Sequence, residues 1–323
     1  MQFQISALAI AAALLVTACG GGGGGGTTSA PVVTTPLTVV PTSAAVAVTS
    51  ANAKFLASAA QQAATSPISM GTLSIFLGNG TFTGSQLNLV RPCANLGTAL
   101  VSGTLANLAG LTTGDRLAAS FNNCTLAQVV GVNSSMTLHG NTSTAVTSGA
   151  VGGFPSFVSA NTVIDNLSFE VAGLTQILSG AQTFEWTVTN LSQQTMVVAG
   201  TTLTLRNSSA GTTRTSTWQN YRHVLNVDAT GFNYSVTASV QTDNTNFGPT
   251  GGSYTLSTIT PLALNQATSA FSSGELRVTG AANSSMRIIL SANNAVTLQI
   301  DTNGDGVIDS TVNSTITELV SMR

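Results

Sequence analysis

The 323-residue sequence predicts an all-β protein. We expect a large antiparallel sheet that forms a sandwich, a barrel or a half-barrel, with one short N-terminal helix. From Gly71 onward, apolar residues alternate with Thr, Ser and Asn at a period of two, and clusters of Gly, Asn, Asp and Ser bound each run. No stretch of helical period separates the runs. Strands without crossover helices pair antiparallel, but the alternation alone does not distinguish the three architectures.

The composition excludes several classes of protein. The chain is 43% hydrophobic and 6% charged, whereas disorder requires low hydrophobicity and high charge. Beyond the N-terminus, no run reaches the roughly 18 apolar residues of a membrane-spanning helix. The net charge is −2, and the cations are Lys54 and scattered arginines. This distribution provides no electrostatic footprint for nucleic acid.

The N-terminus has the pattern of an export signal. Residues Ile5 to Val16 form an apolar run of signal-peptide length, and Val16-Thr17-Ala18-Cys19 follows it. This motif resembles the lipobox of bacterial lipoproteins. The resemblance implies removal of residues 1–18 and attachment of three acyl chains to Cys19, and several chains make an anchor effectively permanent. The alternative is an ordinary signal peptide that leaves Cys19 as a stray thiol.

A tether is predicted at residues 19–43. Seven glycines, Gly20 to Gly26, follow the cysteine, and a Thr-, Val- and Pro-rich stretch follows them. Such sequences favour flexible or extended linkers. Lipoproteins retained in the inner membrane often carry Asp at the position of Gly20. The resemblance therefore implies the outer membrane, with surface display expected more than a periplasm-facing orientation.

The helix is predicted within the Ala-rich residues 44–67, with Ser50 as its cap and Pro67 just beyond its end. The β-domain is predicted at residues 68–323. Its first hairpin is placed at Gly78-Asn79-Gly80, because type I′ turns favour Asn-Gly. The other alternating runs are Ser134–His139, Thr162–Val171, Thr183–Leu191, Thr195–Leu205, Thr213–Val227, Phe232–Val240, Ser253–Thr258, Glu275–Thr279, Met286–Leu290 and Val296–Ile300.

Beyond Cys19 the chain has two cysteines, Cys93 and Cys124. An exported chain meets an oxidising compartment, so we expect a disulfide; the alternatives are a metal pair or a catalytic thiol. The surrounding segment resembles a loose group of β-rich envelope lipoproteins. The shared features are Cys93, the Gly97–Gly103 hairpin, the Gly114-Asp115 turn and the F-x-x-C strand from Phe121 to Cys124. The resemblance implies a β-rich envelope protein and no particular activity.

An acidic loop near the C-terminus is similar to the first part of an EF-hand calcium loop, with Gly306 at the sharp turn. The candidate calcium ligands are Asp301, Asn303, Asp305, the Val307 carbonyl and Asp309. Val312 stands where the family has a bidentate Glu, and the flanking Val296–Ile300 and Thr311–Leu319 are predicted as strands. We therefore expect weak, structural calcium binding in a hairpin. The alternative is a calcium-free turn.

The search for a site yields one binding candidate. The candidate residues are Trp218, Tyr221 and Arg222, in a stretch that ends at His223 and combines aromatic, amide and basic side chains. A regular strand would place Trp218 with Arg222 on one face, as a platform for a sugar, and Tyr221 with His223 on the other. A strand of ordinary cross-strand pairs is the alternative.

No catalytic motif is present: G-x-S-x-G and H-E-x-x-H are absent, and the two histidines are isolated. Glu170 and Glu185, on neighbouring predicted strands, are a weak candidate pair for glycoside hydrolysis.

These observations favour a non-enzymatic outer-membrane lipoprotein that presents a β-domain for binding or envelope structure. The alternatives are a periplasmic carrier of an apolar molecule or an envelope-assembly factor, and, more weakly, a glycan-acting enzyme. The predicted partners are the membrane, through the lipid, and a glycan, protein or lipid. No nucleic acid is expected. A carrier should have an apolar concavity under the helix, and a surface binder should have an exposed polar sheet with an aromatic patch.

Overall fold

The computed structural model describes residues 43–71, 86–93, 95–106, 111–126, 136–150, 156–171, 174–190, 192–209, 211–228, 231–265 and 270–322. These residues form one antiparallel sheet of fourteen strands, and the order of the strands in the sheet is their order in the chain. The first and last of these strands do not pair with each other, so the sheet is not closed into a barrel. The all-β prediction is confirmed. Cys19, most of the tether and the Gly78-Asn79-Gly80 hairpin lie outside the described residues.

The strands pair only with their neighbours in sequence. Their bounds are β1 Gln86–Pro92, β2 Leu96–Thr104, β3 Arg116–Leu126, β4 Met136–Ala150, β5 Ser156–Val171, β6 Leu174–Asn190, β7 Gln193–Ser209, β8 Thr212–Asp228, β9 Gly231–Thr242, β10 Gly252–Asn265, β11 Ala270–Thr279, β12 Ser285–Ser291, β13 Ala295–Asp301 and β14 Ser310–Thr315. Helix α1 spans Ala53–Gly71 and helix α2 spans Ile316–Ser321, with single 3₁₀ turns at Thr245–Phe247, Ala281–Asn283 and Ala292–Asn294.

The sheet curls around α1. The helix contacts β7, β8 and β9 and also β13, which lies four strands further along the sheet. Its buried face repeats at helical spacing and consists of small or aliphatic side chains: Leu56, Ala57, Ala60, Ala63 and Ala64. Alanine forms helices readily and lets a helix approach the sheet closely. The apolar side of the strands and this face of α1 form one continuous core. No helix in the described part of the chain is long and apolar enough to cross a membrane.

Asparagine bulges bend the long strands. Asn123, Asn166 and Asn220 each have φ near +48° (48°, 48° and 47°), and each lies at a shift in strand register. A bulge inserts one unpaired residue and increases the local twist. At Gly140, opposite one of them, an added Cβ would lie 2.2 Å from the carbonyl oxygen of Asn166. The backbones therefore approach closely along the bend, and only glycine fits there.

The chain enters the domain beside β10. The Val46 N–H donates to the Ser253 carbonyl at 2.9 Å, and the Val46 carbonyl accepts from Ala281 at 2.8 Å. The Val48 N–H donates to the Ser284 hydroxyl at 3.0 Å, and the Val48 side chain is fully buried. The segment that directly follows the predicted tether is thus fixed to the sheet by backbone hydrogen bonds and apolar packing.

The two ends of the domain meet at the helices. Lys54 of α1 forms an ion pair with Glu318 of α2, and the Ser58 hydroxyl donates to the Leu319 carbonyl at 2.6 Å. The Lys54 ammonium and the Ser314 hydroxyl both hydrogen-bond the Glu318 carboxylate and lower its pKa. The short C-terminal helix therefore holds the start of α1 in place.

Three sequence predictions of element bounds were wrong. Helix α1 begins after Asn52, whose carbonyl accepts from Leu56 at 2.9 Å, rather than at Ser50. It also continues through Pro67 to Gly71. The predicted strand Thr311–Leu319 ends at Thr315, whose hydroxyl caps α2 by accepting from the Glu318 N–H at 3.1 Å.

Candidate functional site

The predicted aromatic platform is part of the core. Trp218 and Tyr221 are each 1% exposed, and His223 is fully buried. The His223 ring lies 6.5 Å from the Trp218 ring and 6.0 Å from the Tyr221 ring, centroid to centroid. Arg222 alone of the three predicted binding residues is exposed. The interpretation of Trp218 as an exposed sugar platform beside Arg222 is therefore wrong, and Tyr221 is not available for binding at the surface either.

The bulge at Asn220 explains the error. Regular alternation would separate Trp218 from Tyr221 and His223, but β8 has an extra residue between Gln219 and Arg222 relative to β9. The extra residue shifts the phase of the strand, so Trp218, Tyr221 and His223 all point inward. A positive φ at an asparagine is visible only in the structure.

His223 is a fully buried group in the core. Neither of its ring nitrogens makes a hydrogen bond to a described residue. Burial lowers the pKa of His223 to about 3, and the nearby Ala64 carbonyl of α1 opposes this shift only weakly, without the geometry of a hydrogen bond. The ring is therefore neutral throughout the physiological range and acts as an apolar packing element.

The two glutamates considered for glycoside hydrolysis are far apart. Glu170 pairs with Thr175 of β6, whereas Glu185 lies on that same strand ten residues further along. At about 3.3 Å per residue the two carboxylates are roughly 30 Å apart, whereas a glycosidase pair requires about 5–10 Å. This pair cannot act on one bond.

The predicted disulfide is present. Cys93, just beyond β1, is bonded to Cys124 of β3, with the two Cα atoms 5.2 Å apart. The bond therefore joins the end of β1 to β3, across the intervening strand β2. Next to it, the Asn123 N–H donates to His139 Nδ1 at 3.2 Å, which fixes the bulge in β3.

The acidic loop between β13 and β14 is ordered by its own carboxylates. Asp301 is 3% exposed and accepts from the N–H groups of Gly304 and Gly306 at 2.7 and 2.9 Å. Asp305 accepts from Val307 at 2.8 Å, and Asp309 accepts from Thr302 at 2.7 Å.

Asn303 accepts from the Asp305 N–H at 3.0 Å. No group of three or more His, Cys, Asp or Glu side chains within the described ranges is arranged to hold a metal. Calcium binding by this loop stays a prediction.

An outward-facing groove crosses β2, β3, β4 and β5. Its volume is about 340 Å³. Strand register aligns Leu100, Ser120, Asn141 and Asp165 in one row across the four strands. The next row includes Ser102, Ala118, Ser143 and Val163. The groove is thus built on rigid strands rather than on loops.

The chemistry of the groove is polar but almost uncharged. Hydroxyl and amide groups line it, and Asp165 is its one charged side chain. The Asp165 carboxylate accepts from the Asn166 amide at 3.0 Å, so part of its hydrogen-bonding capacity is used at the bulge. Leu100 and Val163 are 38% and 51% exposed and provide two aliphatic contacts. Such a surface can exchange hydrogen bonds with a neutral polar partner.

Sequence reasoning did not find this groove, although a signal exists. Leu100 lies between the inward-facing Ala99 and Val101, and Val163 lies between Thr162 and Ile164. Each is therefore an apolar residue at an outward position of a strand, where the rest of the pattern places polar residues.

Comparison of the chain with protein-family models, curated proteins and solved structures found no match.

Proposed function

We propose that the chain is a lipid-anchored outer-membrane lipoprotein that presents its β-domain on a flexible tether, and that the groove across β2–β5 binds a neutral glycan. The observation that carries the proposal is the groove itself. It combines hydroxyl and amide groups with two exposed aliphatic side chains on rigid strands. Neutral sugars offer the complementary hydroxyl groups and apolar ring faces. Function as a binding protein requires no catalytic group.

The attachment point of the chain supports presentation. The described chain begins at Ser43, whose carbonyl accepts from the Ser253 hydroxyl at 3.0 Å. Cys19 lies 24 residues upstream, and a chain of that length spans at most about 80 Å. A lipid at Cys19 could therefore hold the domain at a distance from the membrane.

The packing of helix α1 supports the hypothesis of an apolar carrier less than it supports that of a binding protein. A carrier of an apolar molecule would need an apolar cavity between the helix and the sheet. Leu56, Ala57 and Ala60 are fully buried in the described residues and fill the part of this space that they face.

The anchor is tested by metabolic labelling with palmitate and by proteinase K treatment of intact cells. In the labelling experiment we expect palmitate on the wild-type chain and none on the Cys19→Ala variant. In the protease experiment we expect proteinase K to digest the C-terminal domain on unbroken cells. A broad-specificity protease is needed because the chain has nine Lys and Arg residues. Equal labelling of both chains would refute the anchor. Full protection until the outer membrane is opened, with a periplasmic marker as control, would refute surface display.

Binding is tested on a neutral-glycan array with the full-length chain. Val163→Asp should abolish the signal, because it replaces one of the two aliphatic contacts of the groove with a charge. The matched control is Ile259→Asp, which changes an equally exposed residue (54%) on the distant strand β10. Loss of binding in both variants, or in neither, would contradict the assignment of the groove.

A further inference from the structure

A second cleft lies on the opposite, helix-facing side of the sheet. It is bounded by α1, by the ends of β6, β7, β8 and β9, and by Met322, and its internal volume is about 80 Å³. That volume accommodates several water molecules and so a small ligand. Apolar walls come from Phe55, Leu174 and Met322, and the rest of the lining is mostly hydroxyl and amide groups.

Strand register builds a polar row in this cleft. Gln176 of β6 pairs with Asn207 of β7, and Asn207 pairs with Arg214 of β8. The Gln176 amide nitrogen donates to the Asn207 amide oxygen at 2.9 Å. Since its oxygen is used in that bond, Asn207 presents its N–H₂ group beside the guanidinium of Arg214. Two hydrogen-bond donors of adjacent strands therefore face the same small space.

Arg214 has no anionic partner in the described part of the chain. The ion pairs found there are Lys54–Glu318 and Arg287–Glu275. The guanidinium of Arg214 donates to the Met322 carbonyl at 3.2 Å, which uses one of its five N–H groups. The acidic residue closest in sequence to the lining, Asp243, accepts from the Thr215 N–H at 2.7 Å and does not line the cleft. The half-buried guanidinium of Arg214 therefore has further N–H groups that can bind a ligand in the cleft.

We propose that this cleft binds a small oxyanion, a carboxylate or a phosphate, with Arg214 and Asn207 as its donors. The planar guanidinium matches the paired oxygens of either group, and the amide N–H₂ of Asn207 adds a third donor. Phe55 and Leu174 then contact the remainder of the ligand. This site is independent of the glycan groove, since the groove lies on the outward face.

The test is isothermal titration calorimetry of the full-length chain in a nonionic detergent, with inorganic phosphate and with acetate. We expect binding of at least one of the two with a stoichiometry of one, and Arg214→Gln should weaken it at least about tenfold. Asn207→Asp should weaken it similarly, because it replaces a donor with a negative charge. The matched control is Arg116→Gln, which removes an exposed arginine of the distant strand β3 that does not line the cleft and should leave the affinity unchanged.

A soluble short-chain phosphatidylglycerol, titrated below its micelle concentration, separates the two sources of phosphate. Tighter binding than inorganic phosphate would identify a lipid headgroup, and weaker binding would identify a free anion. Absence of binding to both simple anions, or equal weakening by Arg214→Gln and Arg116→Gln, would overturn the proposal. Far-UV circular dichroism checks folding, and Arg214→Lys replaces Arg214→Gln if the latter does not fold.

Discussion

The burial of His223 predicts that the protein loses stability between pH 7 and pH 5. The pKa of His223 in the folded chain is about 3, against 6.5 for an unperturbed histidine. Because the folded pKa is the lower one, the unfolded chain takes up a proton first. Stability is therefore complete above pH 6.5 and falls as the pH drops toward 3. At about 1.4 kcal/mol per pH unit the full loss is on the order of 5 kcal/mol, of which about 2 kcal/mol is lost by pH 5.

Urea unfolding at pH 7 and pH 5 measures this loss. The carboxyl groups with lowered pKa values are Glu275 and Glu318, with unfolded values of 4.5, and Asp309, with an unfolded value of 3.8, so they contribute mainly below this window. His223→Met removes the titrating ring at similar volume and should make the free energy of unfolding nearly equal at the two pH values. Leu225→Met, a change at another buried residue of β8, is the control and should keep the wild-type difference because it leaves His223 in place. A wild-type protein equally stable at both pH values, or a His223→Met variant with the wild-type difference, would refute the reasoning.

Three further predictions concern stability. Gly140→Ala should lower the free energy of unfolding by more than about 2 kcal/mol, because the added Cβ would meet an opposing carbonyl oxygen. Gly114 also has a positive φ but has open space around it, so Gly114→Ala should lower the free energy of unfolding by less. Equal losses for the two variants in urea unfolding would contradict the steric argument. Cys93→Ser should lower the free energy of unfolding by roughly 3–4 kcal/mol, as expected for two cysteines 31 residues apart, and reduction of the wild type should reproduce this loss. If the acidic loop binds calcium, millimolar calcium should raise the Tm of the EDTA-treated protein and Asp305→Asn should remove the increase; a Tm unaffected by calcium would refute calcium binding.

Strand alternation and turn residues were sufficient to predict the all-β fold and most strand positions, because the outward and inward faces differ so consistently in polarity. Cys93 and Cys124 could be paired for a different reason: after Cys19, two cysteines remain. The start of α2 was also readable, since Thr315-Ile-Thr-Glu318 is a capping-box sequence. It was missed because Ile316 and Leu319 fit a strand pattern equally well.

The sites were less predictable, since they depend on register and on bulges. Regular alternation cannot place Trp218 and Tyr221 on one face, because the phase change at Asn220 has no counterpart in the residue pattern. Likewise, Gln176 and Arg214 are 38 residues apart in the chain, and only the pairing of three strands brings them into one row.

The sequential pairing of the strands has a consequence for the order of folding. Each hairpin can form as soon as its second strand is available, because every strand after β1 pairs with the strand that precedes it in the chain. The helix that covers the apolar face is different. It emerges first, but Lys54 meets Glu318 across 264 residues of chain. The contacts that hold the helix over the sheet are therefore complete only when the last residues of the domain have been made, and until then the apolar face of the sheet is vulnerable to aggregation.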